Sequence, residues 1–408
     1  MTKKQKSSLK LVTVSTALVL IISSLSILAW AQTQGENPTS QVNLDASPSI
    51  DPKQQRLAQL DQILTQTWDS YKQHFIIQDR VIDPQQNNLT TSEGMSYGLL
   101  QAVYLQDQAT FDRLLDWTNN HLKDQNNLFA WKWQDGKVTD PAYAADADQD
   151  IALALILAHQ TWQNPTYLTQ AQEVLSALWQ YQVVSYAENY YLIAGNWANK
   201  SHELVLNPSY LSPASYRIFA QIDPAHPWLN LVDTSYTILE ACTTSPLNST
   251  IPGALPPEWC ALDKKTNQFR ASTDPVGDEY SFNAVRVPIR IATDYFYSQD
   301  PRSHSYLQCF QLFATDWQSS NIIYPIYSHQ GQPLQTYDAL LPHTAALPYF
   351  LVTQPAMAEQ LFDSKILPKL ITMDNKTYWE DPQNYYTQNI TWFALAFYKS
   401  YLSSANHM

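Results

Sequence analysis

The stretch AADADQDIALALILAHQTW, residues 144–162, joins three acids to a strongly apolar run of helical length. Asp146, Asp148 and Asp150 fall at alternate positions where the run begins. A helix start uses one such side chain as a cap, so three exceed the structural need. A calcium loop would use several, but neither the glycine nor the distant bidentate glutamate follows at the offsets that loop requires. The surplus acids point to a polar partner at the mouth of a buried helix.

The pattern recurs along the chain. From about residue 53 the 3.6-residue period dominates and predicts helices near 53–75, 92–107, 109–122, 148–163, 166–182, 208–221, 228–242, 283–298, 303–317, 336–352, 355–370 and 388–402. Pro165, Pro301 and Pro355 mark places where helices stop or start. The long connections carry β-like pieces such as NYYLIAGNW and SHELVLN. Helices in hairpin pairs, without strand–helix alternation, predict an all-α (α/α)6 toroid over residues 53–402 with short β pieces in its long loops. A superhelical solenoid is the alternative, but no fixed internal period supports it.

In such a ring every second helix runs the same way, so the N-termini of the even-numbered helices share one rim. That rim collects Glu93, DADQD (146–150), NPSY (207–210), SFNAVRVPIR (281–290), TYDALLPH (336–343) and YYTQNITW (385–392). A polar cap explains any one of them. Six together describe a cleft.

Composition says what the cleft suits. Charged residues are only 15% of the 408, while the chain holds 13 Trp and 25 Tyr, aromatics with a polar edge that match the mixed surface of a sugar ring. The N-terminus reads MTKKQKSSLK, then LVTVSTALVLIISSLSILAWA, then a polar tract. This is the form of an export signal, residues 1–31, cut after Ala31, followed by a linker over 32–52. An uncleaved anchor, attaching the protein to a membrane through 11–31, is the alternative. Segment 1–31 holds four of the 24 basic residues and no acid, so a cut chain has 20 basic against 37 acidic residues, net −17. That charge argues against nucleic acid and anionic lipid as partners. Of Cys242, Cys260 and Cys309, the first two are placed to clip a Pro-rich loop, and Cys309 reads as a small core residue. No CxxC or HExxH is present, so no metal site is indicated.

Within SEGMSYG, Glu93 opens an apolar helix, where burial raises a carboxyl pKa toward the range of a general acid. Gly94 and Gly98 follow it although the chain has only eight glycines, and they read as room for a bulky substrate. Asp146 and Asp148 suit hydrogen bonds to sugar hydroxyls, whereas Asp150 is expected to face solvent. Trp131 and Trp133 lie two apart in an extended segment and read as a stacking platform on one side. Arg286 and Arg290 share a helix face; Arg286 is placed to orient an acid or a water, and Arg290 to pair with an acid of a neighbouring helix.

Taken in order, SEGMSYG, LFAWKW, AADADQDIALALILAHQTW, NPSY and NAVRVP resemble glycoside hydrolase family 8, over roughly residues 55–400. The resemblance implies an (α/α)6 barrel and inverting hydrolysis of β-1,4-linked glycans. By motif it makes Glu93 the general acid, Asp146 the acid that binds the sugar at the cleavage point, and Arg286 and Tyr210 cleft residues. One departure matters: many members carry the general-base Asp where this chain has Asn283. An amide cannot accept that proton. The resemblance implies that members with Asn there use an acid of the preceding loop. Glu279, then Asp278, then Asp338 are the candidates in this chain, with Asp274 further back.

The reading is an endo-acting β-1,4-glucanase of cellulose or mixed-linkage glucan, exported and monomeric, with a β-glycan as its partner and no cofactor. Xylanase or chitosanase activity within the family is the near alternative. A glycan-binding or cellulose-export accessory protein with a weakened site, suggested by Asn283, is the distant one; a lyase on the same barrel would yield unsaturated products.

Overall fold

Proline and short polar side chains decide where the helices begin. The computed structural model describes residues 51–404, so the expected export signal and nearly all of the linker lie outside the described residues. Helix α1 (Pro52–His74), α2 (Ser92–Tyr104), α3 (Gln108–His121), α4 (Ala145–Trp162), α5 (Pro165–Gln182), α6 (Pro213–Ile222) and α7 (Trp228–Thr244) make up the first half. The second half holds α8 (Val287–Ser298), α9 (Pro301–Leu307), α10 (Gln311–Ser320), α11 (Leu340–Thr353), α12 (Pro355–Leu361) and α13 (Tyr385–Ser404). Proline occupies the first turn of α5, α6, α8, α9 and α12, where its missing N–H costs no hydrogen bond. Thr91, Asp107, Asn164 and Asp300 accept backbone N–H groups of the turns that follow them, as caps do.

The twelve expected helical rods are present, with local differences. The rod near 303–317 is α9 and α10 joined by a 3-10 turn at Gln308–Phe310. The one near 355–370 continues α12 through a π turn, Phe362–Ile366. Residues 208–210 form a separate 3-10 turn, because Ser212 takes a non-helical conformation and Pro213 restarts the helix.

Helices α2, α4, α6, α8, α11 and α13 line the inside, and each is paired with an outer neighbour, giving the (α/α)6 toroid. Inner helices must be apolar nearly all round, and α11 buries twelve of its fourteen residues. The ring closes between its first and last inner members: Gln101 donates to Asn389 at 2.7 Å, and Tyr97 meets Phe393 edge-on at 5.3 Å.

Two small antiparallel sheets decorate the long loops that matter for the rim. Strands β1 (Thr90–Thr91), β2 (Ala130–Gln134) and β3 (Lys137–Tyr143) form one; β4 (Glu203–Leu206), β5 (Cys260–Asp263) and β6 (Gln268–Ala271) form the other, with β5 in the middle. A disulfide joins Cys242 of α7 to Cys260 at the start of β5, and both are fully buried. Cys309 is the free cysteine and is only half-buried.

This bond fixes the loop ahead of β5 against an outer helix. Its two ends are 18 residues apart, so opening it frees a loop worth about 3 kcal/mol of chain entropy in the unfolded state. The unreduced protein unfolded in urea should therefore show one reactive thiol. The Cys242→Ser/Cys260→Ser protein should lose stability of about that size in a urea titration.

Candidate active site

One buried cation organises the rim. Arg286 ends the 3-10 turn Ala284–Arg286 that leads into α8, and its side chain is only 3% exposed. A charge so buried is tolerable only when paired and hydrogen-bonded. Its Nη1 donates to Glu93 Oε2 of α2 at 2.6 Å, to Asp146 Oδ2 of α4 at 2.7 Å and, more weakly, to Tyr97 at 3.3 Å. Nη2 donates to Ser209 Oγ at 3.0 Å and Asn283 Oδ1 at 2.8 Å. The guanidinium also lies 5.3 Å from the centre of the Tyr210 ring, a cation–π contact. Thus Glu93, Asp146, Tyr210, Asn283 and Arg286 come together in three dimensions.

Glu93 sits in the first turn of α2, whose start Thr91 fixes by accepting the Gly94 N–H at 3.0 Å. Its carboxylate is a quarter exposed and accepts a long bond, 3.4 Å, from the Tyr385 hydroxyl. Burial raises the pKa of Glu93 above the ordinary carboxyl value; the Arg286 charge opposes this and the Asp146 charge adds to it. Asp146 is raised by burial in the same way, with Arg286 again opposing. Two carboxyls facing one guanidinium favour holding a proton, the state a general acid needs.

The glycines serve a purpose other than the one expected. A Cβ at Gly94 would stand 3.0 Å from the Tyr385 hydroxyl, and one at Gly98 would stand 3.0 Å from both Leu114 and Val81. Gly94 therefore makes room for the tyrosine that reaches Glu93. Gly98 lets α2 pack on α3 and the preceding hairpin. Neither opens space for substrate.

Three further expectations are corrected. Asp148 is not available to sugar hydroxyls: it is fully buried, accepting the Phe129 N–H at 3.1 Å and Gln182 Nε2 at 2.6 Å. Burial pushes its pKa up to about 8. Asp150 does not face solvent but forms a two-pronged pair with Arg290, 2.8 Å on each side, the partner expected for that arginine. Trp131 and Trp133 do not form one platform, because register shifts on both sides of Lys132 break the two-residue alternation. Trp133 packs edge-on against Trp117 at 5.3 Å with Arg80 over its ring, whereas Trp131 remains half-buried outside that cluster.

The candidate bases separate. Asp338 is tied to Lys365 at 2.7 Å and lies 3.6 Å from His343. Asp278 accepts from Asn248 at 2.8 Å. The backbone carbonyl of Glu279 accepts the Glu258 N–H at 2.9 Å. Glu258 is the acid that the sequence reading passed over. It accepts from the Ser281 hydroxyl and, at 2.9 Å, from the Asn283 N–H. Next to it, Trp259 meets Tyr210 at 6.0 Å and Trp197 at 6.1 Å, an aromatic wall beside the cation. PPEWC has no helical period to draw attention to it. Its one clue was Cys260, whose bond to α7 pins that loop to the barrel.

Similarity to known proteins agrees with this arrangement. The family model for glycosyl hydrolases family 8 matches residues 55–365. An endoglucanase of Cellulomonas uda is 31% identical over 231 residues, covering 55% of this chain and 62% of that protein. Endoglucanase C of Ruminiclostridium cellulolyticum is 30% identical over 59% of this chain and 50% of its own length. The chain thus spans between half and two thirds of these relatives. Among solved structures, an endo-1,4-D-glucanase from Vibrio fischeri superimposes with a TM-score of 0.67 at 26% identity, over 81% of this chain and 94% of that one. A β-1,3-1,4-glucanase from Paenibacillus sp. X4 gives 0.71 at 21% identity over 84% and 93%, which speaks for the fold.

Two expectations follow from the geometry. Asp148 holds its proton when folded and loses it near pH 4 when unfolded. The folded state then binds the extra proton between these values, so its contribution is complete below about pH 4 and is lost as pH rises through about 8. The slope is about 1.4 kcal/mol per pH unit. Asp148→Asn should flatten it, as read from urea midpoints at pH 5 and 8. Gly94→Ala should displace Tyr385 from Glu93 and lower kcat several-fold while the melting temperature changes little.

Proposed function

The chain belongs to glycosyl hydrolase family 8, and from that premise we propose that it is an inverting endo-β-1,4-glucanase acting on cellulose or mixed-linkage β-glucan. The observation that carries the reading is Glu93: a carboxyl raised by burial, at the mouth of an inner helix, sharing one buried guanidinium with Asp146. In the proposed reaction the Glu93 carboxyl gives its proton to the glycosidic oxygen as the C1–O bond breaks. A water attacks C1 from the opposite face and passes its proton to a second carboxylate. Inversion needs that carboxylate roughly 6.5–9.5 Å from the acid. Asp146 holds the sugar at the cleavage point, and Trp131 and the Tyr210–Trp259 wall offer apolar faces to neighbouring rings. Two carboxylates and a water supply the whole chemistry, so the reaction calls for no cofactor.

Export from the cytoplasm completes the proposal. It is supported by the basic-then-apolar N-terminal sequence and by a buried disulfide, a bond that persists in oxidising compartments.

Release of reducing ends from carboxymethylcellulose, barley glucan, xylan and chitosan tests the reading. Wild type should act on the first two, and Glu93→Gln should lower kcat about 10²–10⁴-fold. Because the acid works protonated and its pKa is raised, wild-type activity should persist above the ordinary carboxyl range and decline at higher pH. A folded wild type silent on all four glycans would overturn the proposal.

A further inference from the structure

Asn283 leaves the inverting reaction without a base at its expected place. Its Oδ1 and Glu93 Oε2 are held by the two ends of one guanidinium, at 2.8 and 2.6 Å. The two Nη atoms of that rigid fork are about 2.3 Å apart, so these oxygens stand no more than about 8 Å from each other. Asn283 thus stands beside the acid on the same cation, but its amide has no basic lone pair at working pH.

We propose that Glu258 is the general base, with Asn283 as the residue that steers water toward it. This inference rests on the glycosidase reading. Glu258 is the carboxylate bonded to Asn283 itself: its Oε1 accepts the Asn283 N–H at 2.9 Å together with the Ser281 hydroxyl. Both bonds use the same oxygen, which leaves Oε2 outside them to take a proton. Gly277 lies alongside, and even a Cβ there would come only within 3.5 Å of Oε2 and 3.1 Å of the Trp259 ring. Tyr386, whose hydroxyl donates to the Phe282 carbonyl at 2.6 Å, ties α13 to the segment between Ser281 and Asn283, the two partners of Glu258. Of the other candidates, Asp338 is bonded to Lys365 and Asp278 to Asn248.

In the step so assigned, water forms the new C1–O bond and its proton goes to Glu258 Oε2. The old C1–O pair leaves with the sugar oxygen, which takes the proton of Glu93. Solvent then returns the proton from Glu258 to Glu93, restoring both groups.

A merely structural role is separable, because Gln at 258 keeps a carbonyl oxygen to accept from Ser281 and Asn283 but cannot take a proton. Glu258→Gln and Glu93→Gln should be assayed on carboxymethylcellulose and on a dinitrophenyl cello-oligosaccharide, whose leaving group needs no proton. Glu258→Gln should fold with an unchanged melting temperature and lose about 10²–10⁴-fold on both substrates. Azide should restore part of the rate and yield the α-glycosyl azide. Glu93→Gln should fail on the polymer but retain most of its rate on the aryl substrate. The assignment is overturned if Glu258→Gln keeps near wild-type rates, if azide restores nothing, or if Asp278→Asn or Glu279→Gln shows the azide-rescued loss instead. Should folded wild type leave both substrates intact, the glycosidase reading would fail and not the placement of Glu258 alone, whereas full-rate hydrolysis of the polymer by Glu93→Gln would remove Glu93 as the acid.

Discussion

Everything on the rim is arranged around a positive charge that has almost no contact with water. Burying a guanidinium costs several kcal/mol unless anions and acceptors meet it. Here they come from four separate parts of the chain: α2, α4, the turn at 208–210 and Asn283 just before α8. Each of these segments has to begin where it does for the charge to be satisfied. The cation in turn holds Glu93 and Asp146 by direct bonds, so the protein itself orients both carboxyls.

That dependence explains why the ring is built with its inner helices pointing one way. Their first turns present N–H groups and short polar side chains toward one face, whereas the apolar remainder of each helix is consumed by packing. Arg290 and Asp150 repeat the cation–anion theme one turn further along α8 and α4. The upper cation is also shared with Glu93, whose carboxylate is a quarter exposed, whereas the lower one is bonded two-pronged to Asp150. The first belongs to chemistry and the second to holding two inner helices together.

Much of this was legible in the sequence, and the limits have physical reasons. Helical rods follow from periodicity, and the rim follows from counting the direction of successive rods. Residues brought together by one long-range contact network are harder to read. DADQD looks like three equivalent acids, yet its members face the cleft, the interior beside Gln182, and Arg290, because successive residues of a helix point 100° apart. Trp131 and Trp133 look like partners until a bulge turns one away. Glu258 lies in an aperiodic loop, and only the tertiary fold brings it to Asn283, 25 positions further along. The glycine pair was noticed correctly as unusual, but what fills the space beside Gly94 is a tyrosine from nearly 300 residues away.

That tyrosine has a bearing on how the protein comes into being. Tyr385 and Tyr386 open the last helix, and α13 also closes the ring through Asn389 and Phe393 against α2. Contacts between such distant parts of a chain form late and slowly. A growing chain emerging from the ribosome holds Glu93 and Arg286 well before it holds the surface that completes their surroundings. The surroundings of Glu93 and Arg286 are therefore complete only once α13 has been made and has docked against α2. A chain released early carries the acid but not the barrel that arms it.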